Sequence, residues 1–310
     1  MEDVSNRQPA ENRPLKIAVL GGGGFVGGYL VLALTHMGYR LNLLTHKTDP
    51  DFVSTRGRIQ SFEGSIDDNA GLLRCFEGCD LVYHLVGIIA ETRTKTFQKT
   101  VIEGTARVVS AARQAGVKKI IYLSALGTAE HTESEYYRSK WAAEQAVINS
   151  GLDYTIFRPS IIYGVGDKFI NKIAGMVRSL PVIPVIGDGL YRLQPVYVEE
   201  LCAVMVMAAD RETTSRKIYE IGGPEQLTYH EILDIIQRTL GRRRATVPIP
   251  LALARLAAYM METIMKPAPL TRDQLKMMAA GSTCDQTVAE KEFDVKFSSL
   301  EMQLQRYMGK

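Results

Sequence analysis

The residues Leu15-Lys16-Ile17-Ala18-Val19-Leu20-Gly21-Gly22-Gly23-Gly24-Phe25-Val26-Gly27-Gly28-Tyr29-Leu30 decide the fold. An apolar run ends at four consecutive glycines, and a helical pattern begins at once: strand, tight turn, helix. Glycines in such a turn remove the Cβ atoms that would bar a pyrophosphate from the backbone N–H groups. The positive end of the new helix then faces the phosphates. The helix face reads as Val26, Leu30, Ala33, Leu34 and Met37, at steps of three and four. Gly38 closes it, and Leu41-Asn42-Leu43-Leu44 reads as the second strand. Gly22, Gly24 and Gly27 satisfy G-x-G-x-x-G, while Gly21, Gly24 and Gly27 satisfy G-x-x-G-x-x-G. Both spacings mark a dinucleotide loop when they sit inside a βαβ unit.

Strand-like and helix-like segments continue to alternate beyond this unit. Strands are expected at 59–64, 81–86, 118–124 and 154–158, with helices at 68–76, 96–115 and 135–149. Several strands are near-continuous apolar runs, which suits a parallel sheet covered on both faces. After Gly166 the pattern loosens. Short strands near 194–198 and 217–221, a helix at 199–209, a Thr228/Glu231 capping box and a helical, methionine-rich tail from Pro248 are expected. The expected class is α/β: a Rossmann-type doubly wound parallel sheet with a small mixed C-terminal substrate lobe. Its divisions are a flexible N-terminus over 1–14, a dinucleotide-binding domain over 15–165, and a lobe over 166–310 with segments near 190–205 returning to the main domain.

With 310 residues, 46% of them hydrophobic, the chain is long enough for that arrangement. A net charge of +3 is too small to argue for a nucleic-acid partner. Cys75, Cys79, Cys202 and Cys284 lie among apolar segments and read as buried thiols in a reducing compartment, not as metal ligands. Residues 1–13 lack the apolar core of a signal peptide. Ile249–Met265 carries Arg255 and Glu262 and is too short for a membrane span. A cytoplasmic location follows as the expectation, with peripheral contact at the inner face of a membrane left open. Arg242-Arg243-Arg244 reads as a solvated face, with anionic lipid as the alternative. Met260, Met261, Met265, Met277 and Met278 read as core packing, with an adaptable partner surface as the alternative.

The second chemical signal is Tyr136-Tyr137-Arg138-Ser139-Lys140. Tyr136 and Lys140 are four apart on an expected helix, so their side chains share one face. A lysine ammonium and a cationic nicotinamide ring beside the phenol would lower its pKa and make it a usable acid or base. The lysine can also hold the nicotinamide ribose.

Together these segments resemble the extended short-chain dehydrogenase/reductase superfamily, which includes epimerases and dehydratases. Leu20–Gly27 matches its phosphate loop, and Asp80–Gly87 resembles its fourth strand. Phe157-Arg158-Pro159-Ser160-Ile161-Ile162-Tyr163-Gly164 is similar to its segment beyond the sixth strand, and 194–201 and 219–224 resemble its lobe landmarks. Leu123–Gly127 with Tyr136–Glu144 resembles the atypical branch that holds the nucleotide-binding accessory subunit of respiratory complex I and its bacterial relatives. The resemblance implies a nucleotide held by Gly21, Gly23, Gly24, Phe25, Val26, Gly27, His46, Lys47, Ser65, Ile66, Val86, Gly87, Lys140, Pro159 and Ile162. It implies chemistry at Tyr136, Lys140 and Ser124, with a small-molecule substrate. It also implies a protein partner in a respiratory or quinone-biosynthesis assembly. Two departures bear on turnover: Ala125 stands where active members carry Ser or Thr, and Val101 where they carry Asn.

Cofactor choice is argued from charge. The second strand ends Thr45-His46-Lys47, where an NAD enzyme usually carries a carboxylate for the ribose 2′-hydroxyl. NADP is therefore expected, with NAD open through Asp49 or Asp51. The reaction stays open among an oxidoreductase on an apolar, quinone-related substrate, a non-catalytic accessory protein, and a sugar-nucleotide epimerase or dehydratase.

Overall fold

The computed structural model describes residues 15–46 and 57–309. Six strands of the main sheet come from the first half: β1 (Lys16–Leu20), β2 (Arg40–Thr45), β3 (Ile59–Glu63), β4 (Leu81–His84), β5 (Lys119–Leu123) and β6 (Asp153–Pro159). A seventh, Lys217–Ile221, comes from beyond residue 166 and pairs with β6. All pairings are parallel, in the order β3-β2-β1-β4-β5-β6-(217–221). The order reverses between β1 and β4, so the crevice at their carboxyl ends is the switch point where such sheets take ligands.

Both faces of the inner strands are covered, so β1, β4 and β5 are buried almost throughout, while the edge strands β3 and 217–221 keep exposed polar residues. Ile17, Val19, Tyr83, Ile121 and Phe157 point into one core; Ala18, Leu20, Val82, Ile120, Tyr122 and Ile156 point into the other. Helix α1 (Phe25–His36) joins the first core through Leu30, Val31 and Leu34. Met37, expected on that face, is 66% exposed because it lies past the helix end, at the C-cap. Helices α2 (Asn69–Phe76), α3 (Gly104–Gln114) and α4 (Glu135–Ile148) bury their apolar residues in the second core.

The expected long helix 96–115 is two elements. Phe97–Glu103 is π-helical, capped by the Thr96 hydroxyl, and α3 continues from Gly104. A periodicity argument does not separate i→i+5 from i→i+4 bonding over seven residues.

The later residues form three two-stranded pairs: 162–163 with 196–197, 192–193 with 227–228, and Val182–Ile186 with Ala245–Ile249. The last pair corrects the reading of a tail that is helical from Pro248. Pro248 sits inside a strand, and helices follow at Leu251–Ile264, Arg272–Ala280, Thr287–Phe293 and Leu300–Tyr307. The Thr228/Glu231 capping box is present on the helix Tyr229–Thr239. Cys75, Cys79 and Cys202 are buried free thiols, Cys284 is half-buried, and among the described residues no cluster could hold a metal. No helix of the described residues is long and apolar enough to cross a membrane.

Candidate active site

The glycine turn is built on one hydrogen bond, from Gly24 N–H to the Gly21 carbonyl at 3.0 Å. Gly21 has φ +87°, a conformation L side chains rarely adopt, and its Cα lies against the Leu85–Val86 backbone after β4. The other glycines serve different ends. A Cβ on Gly27 would overlap the Gly21 carbonyl oxygen and come within 2.8 Å of its carbon, so this glycine lets α1 pack onto the turn. A Cβ on Gly23 would meet nothing within 4 Å, and one on Gly24 only the Gly21 carbonyl oxygen at 3.2 Å. Both residues are exposed. The rim of the turn at the α1 N-terminus is therefore open, as a cradle for a pyrophosphate requires.

The other expected nucleotide contacts follow the carboxyl ends of the strands around this turn. Exposed His46 follows β2, half-buried Ser65 and buried Ile66 follow β3, and Val86 and Gly87 follow β4. Pro159 closes β6, and Ile162 lies in the short strand beyond it. Phe25 and Val26 are half-buried in the first turn of α1. Lys47, with Asp49 and Asp51, lies outside the described residues. Ser65 is engaged locally, its hydroxyl accepting from Asp67 N–H at 3.1 Å.

Tyr136 and Lys140 both lie on α4. Lys140 is buried and comes to the ends of β4 and β5, where a Cβ on Gly87 would sit 3.2 Å from its Nζ. Its ammonium donates to the Leu123 carbonyl at 2.8 Å and to the Tyr122 hydroxyl at 3.3 Å, and lies 4.8 Å from the Tyr122 ring centroid. Burial pushes Lys140 down to about 8, against the pull of Glu144 one turn on. Behind it His84 Nε2 is 2.9 Å from the Thr105 hydroxyl, and the His84 and Tyr122 rings are 5.2 Å apart. Burial, then the Lys140 charge, push His84 down to about 3, so its imidazole is neutral.

Lys140 makes no hydrogen bond to Tyr136 among the described residues. Burial, then the neighbouring Tyr137 phenol, push the Tyr136 pKa up, and the lysine's bonds go to β5 instead. The phenol is packed by Phe97 and Tyr137, with ring centroids at 5.9 and 5.5 Å. Ser124 is buried, with its hydroxyl 3.4 Å from that of Thr128. Val101 is fully buried in the second core, filling apolar volume where a relay amide would need a partner.

Two supports of α4 were beyond sequence reasoning. The Glu144 carboxylate, fully buried, takes a two-pronged bond from Arg158 on β6, at 2.9 and 2.6 Å. Asp273, on the helix Arg272–Ala280, accepts from the backbone N–H of Glu135 and Tyr136 at 2.7 and 3.1 Å and from the Ser134 hydroxyl at 2.8 Å. Ser134 itself caps the helix by accepting from Tyr137 N–H. Glu144 and Arg158 are in motif segments but carry no sign of their pairing, and Asp273 is 137 residues from Tyr136. Asp273→Ala is expected to cost about 1–2 kcal/mol, as for loss of an N-cap. Thermal denaturation should show a drop of a few degrees, with Asp273→Asn intermediate.

A parallel sheet with its switch point at a glycine turn, and a Tyr-x-x-x-Lys helix laid over the neighbouring strand ends, define a short-chain dehydrogenase/reductase of the extended type. The chain belongs to the NAD dependent epimerase/dehydratase family, whose model matches residues 17–222. It is 29% identical over 267 residues to NADH dehydrogenase [ubiquinone] 1 alpha subcomplex subunit 9, mitochondrial, of Arabidopsis thaliana, covering 83% of this chain and 66% of that one. It is 30% identical over 191 residues to a ceramide reductase of Caulobacter vibrioides, covering 61% of this chain and 59% of that one. The matches thus span about two thirds or less of these two relatives. Among solved structures, UDP-glucuronic acid 4-epimerase from Bacillus cereus, in complex with UDP-glucuronic acid and NAD, superposes with a TM-score of 0.72 at 18% identity. The superposition covers 94% of this chain and 97% of the other, and shows the fold alone.

Proposed function

We propose that the chain binds NADP(H) and is an oxidoreductase on an apolar small molecule of the quinone class. The observation that carries this reading is Lys140. It is brought, buried and held by two bonds, to the strand ends beside Gly87, one turn of helix from Tyr136. There its ammonium can hold a ribose hydroxyl, and Tyr136 can donate a proton to a substrate carbonyl oxygen. The glycine turn would hold the pyrophosphate, and the nicotinamide would supply the hydride. With its pKa raised by burial, Tyr136 is protonated at neutral pH, the form that can donate to a carbonyl oxygen. The preference for NADP rests on His46, exposed where β2 ends without a carboxylate.

Calorimetry with NADPH and NADH, followed by a panel of quinones scored by loss of NADPH absorbance, tests the reading. Tyr136→Phe is expected to leave NADPH affinity unchanged and to cut turnover by roughly 10²–10⁴-fold. Turnover indifferent to that substitution would exclude the tyrosine mechanism.

A second reading is a non-catalytic accessory role in a respiratory or quinone-biosynthesis assembly. Ala125 and the core position of Val101 favour it, as does likeness to a protein named as a subunit of NADH dehydrogenase. On that reading NADPH raises the melting temperature while no member of the panel turns over. The sugar-nucleotide alternative rests on the family alone.

A further inference from the structure

Of the methionines its sequence predicts as core, Met261, Met277 and Met278 are half-buried, but Met260 and Met265 are exposed. The helix Leu251–Ile264 buries only Ala254 and Ala258, in a small cluster with Leu275. Leu253, Leu256, Met260 and Ile264, at steps of three and four, are each more than half exposed. Met265 continues the stripe, and Val182 and Val247, on the strand pair that precedes this helix, are exposed as well. An apolar stripe of this length facing water marks a contact surface.

Charge indicates what covers it. Residues 242–276 contain seven Lys or Arg against only Glu262 and Asp273, a net +5, whereas the whole chain is +3. Both acids are engaged within the fold, Glu262 by Arg272 at 2.7 Å and Asp273 at the N-terminus of α4. Exposed Arg243, Arg255 and Lys266 make no hydrogen bond or ion pair among the described residues. The surface therefore asks for alkyl chains and anions together. A bilayer bearing anionic lipid supplies both, and its fluid chains accept flexible methionines without demanding a fixed shape.

We infer that the helix Leu251–Ile264 lies in the plane of an anionic bilayer, with its apolar stripe among the acyl chains and Arg243, Arg255 and Lys266 at the headgroup phosphates. The docked helix is joined through Glu262 to Arg272, on the helix Arg272–Ala280, which is in turn tied to the Tyr136 helix. Asp273 caps that helix, and Lys276 Nζ donates to the Glu133 carbonyl at 3.1 Å just before it. The inference does not depend on the redox reading, since it concerns a different surface.

Flotation of the full chain with vesicles tests it, using phosphatidylcholine alone and phosphatidylcholine mixed with phosphatidylglycerol. The wild type is expected to float with the mixed vesicles only, and less so at high salt. Leu256→Glu with Met260→Glu should abolish flotation. Arg243→Ala with Arg255→Ala and Lys266→Ala should weaken it by on the order of a hundredfold, from about one kcal/mol-scale contact per cation. All five side chains are exposed, so melting temperature and NADPH affinity should stay at wild-type values. Wild type that remains in the pellet, floats equally with neutral vesicles, or floats undiminished after either set of substitutions overturns the inference. So does a dimer in sedimentation that Leu256→Glu dissociates, because the stripe would then be a contact between copies.

Discussion

Alanine at position 27 is expected to lower the stability of the whole domain and to abolish dinucleotide binding, although it adds a single methyl group. The added Cβ would overlap the Gly21 carbonyl oxygen, which accepts the hydrogen bond that closes the turn. That oxygen is backbone and cannot swing aside, so either α1 lifts from β1 or the turn opens. Overpacking a rigid site costs about 1–3 kcal/mol and more where backbone must move; the upper end applies here. For a domain of this size that is a fall of several degrees in melting temperature. Gly23→Ala is the control. Its Cβ would meet nothing within 4 Å, so the melting temperature should stay within about 0.5 kcal/mol of wild type. Yet the methyl projects from the open rim of the cradle, and NADPH affinity should fall at least about tenfold. A Gly27→Ala protein that melts with the wild type would show that the turn does not pack as described.

Loss of the Glu144 carboxylate should be comparably severe, for an electrostatic reason. Its side chain is fully buried and its two oxygens take both prongs of Arg158, whose remaining ion-pair partner, Glu220, is 3.7 Å away. Truncation to alanine leaves a largely buried guanidinium with half its partners, and breaking such a pair costs about 3–5 kcal/mol. Chemical denaturation should show it as a lower midpoint. Glu144→Gln keeps the shape and separates a second effect. Glu144 is the group that opposes the downward shift of Lys140, so neutralising it moves the lysine further below about 8. The ammonium is present below that pKa and lost as pH rises through it. NADPH binding should therefore weaken at a lower pH in Glu144→Gln than in wild type. A binding profile that does not move would separate Lys140 from nucleotide binding.

The sheet is legible in the residues alone. The apolar runs, the four glycines after Leu20 and the alternation of periods point to a parallel α/β fold, because strands buried on both faces must be mostly apolar. The spacing of Tyr136 and Lys140 likewise placed both on one helix. Local signals such as the Thr228/Glu231 box were legible because every group they need lies within one turn.

Where the long side chains spend their bonds depends instead on how separate elements pack together. Lys140 turns to Tyr122 and Leu123 on β5, and the tyrosine four residues away is buried against Phe97 and Tyr137. Asp273 reaches α4 from 137 residues away and Arg158 from the next strand, through contacts that no spacing encodes. The tail shows the same limit from the other side. Helical periodicity in Leu251–Ile264 is real, but a period shows only that one face differs from another. Whether the apolar face meets the core or the solvent depends on what lies beside it, and here it is the two alanines that face inward.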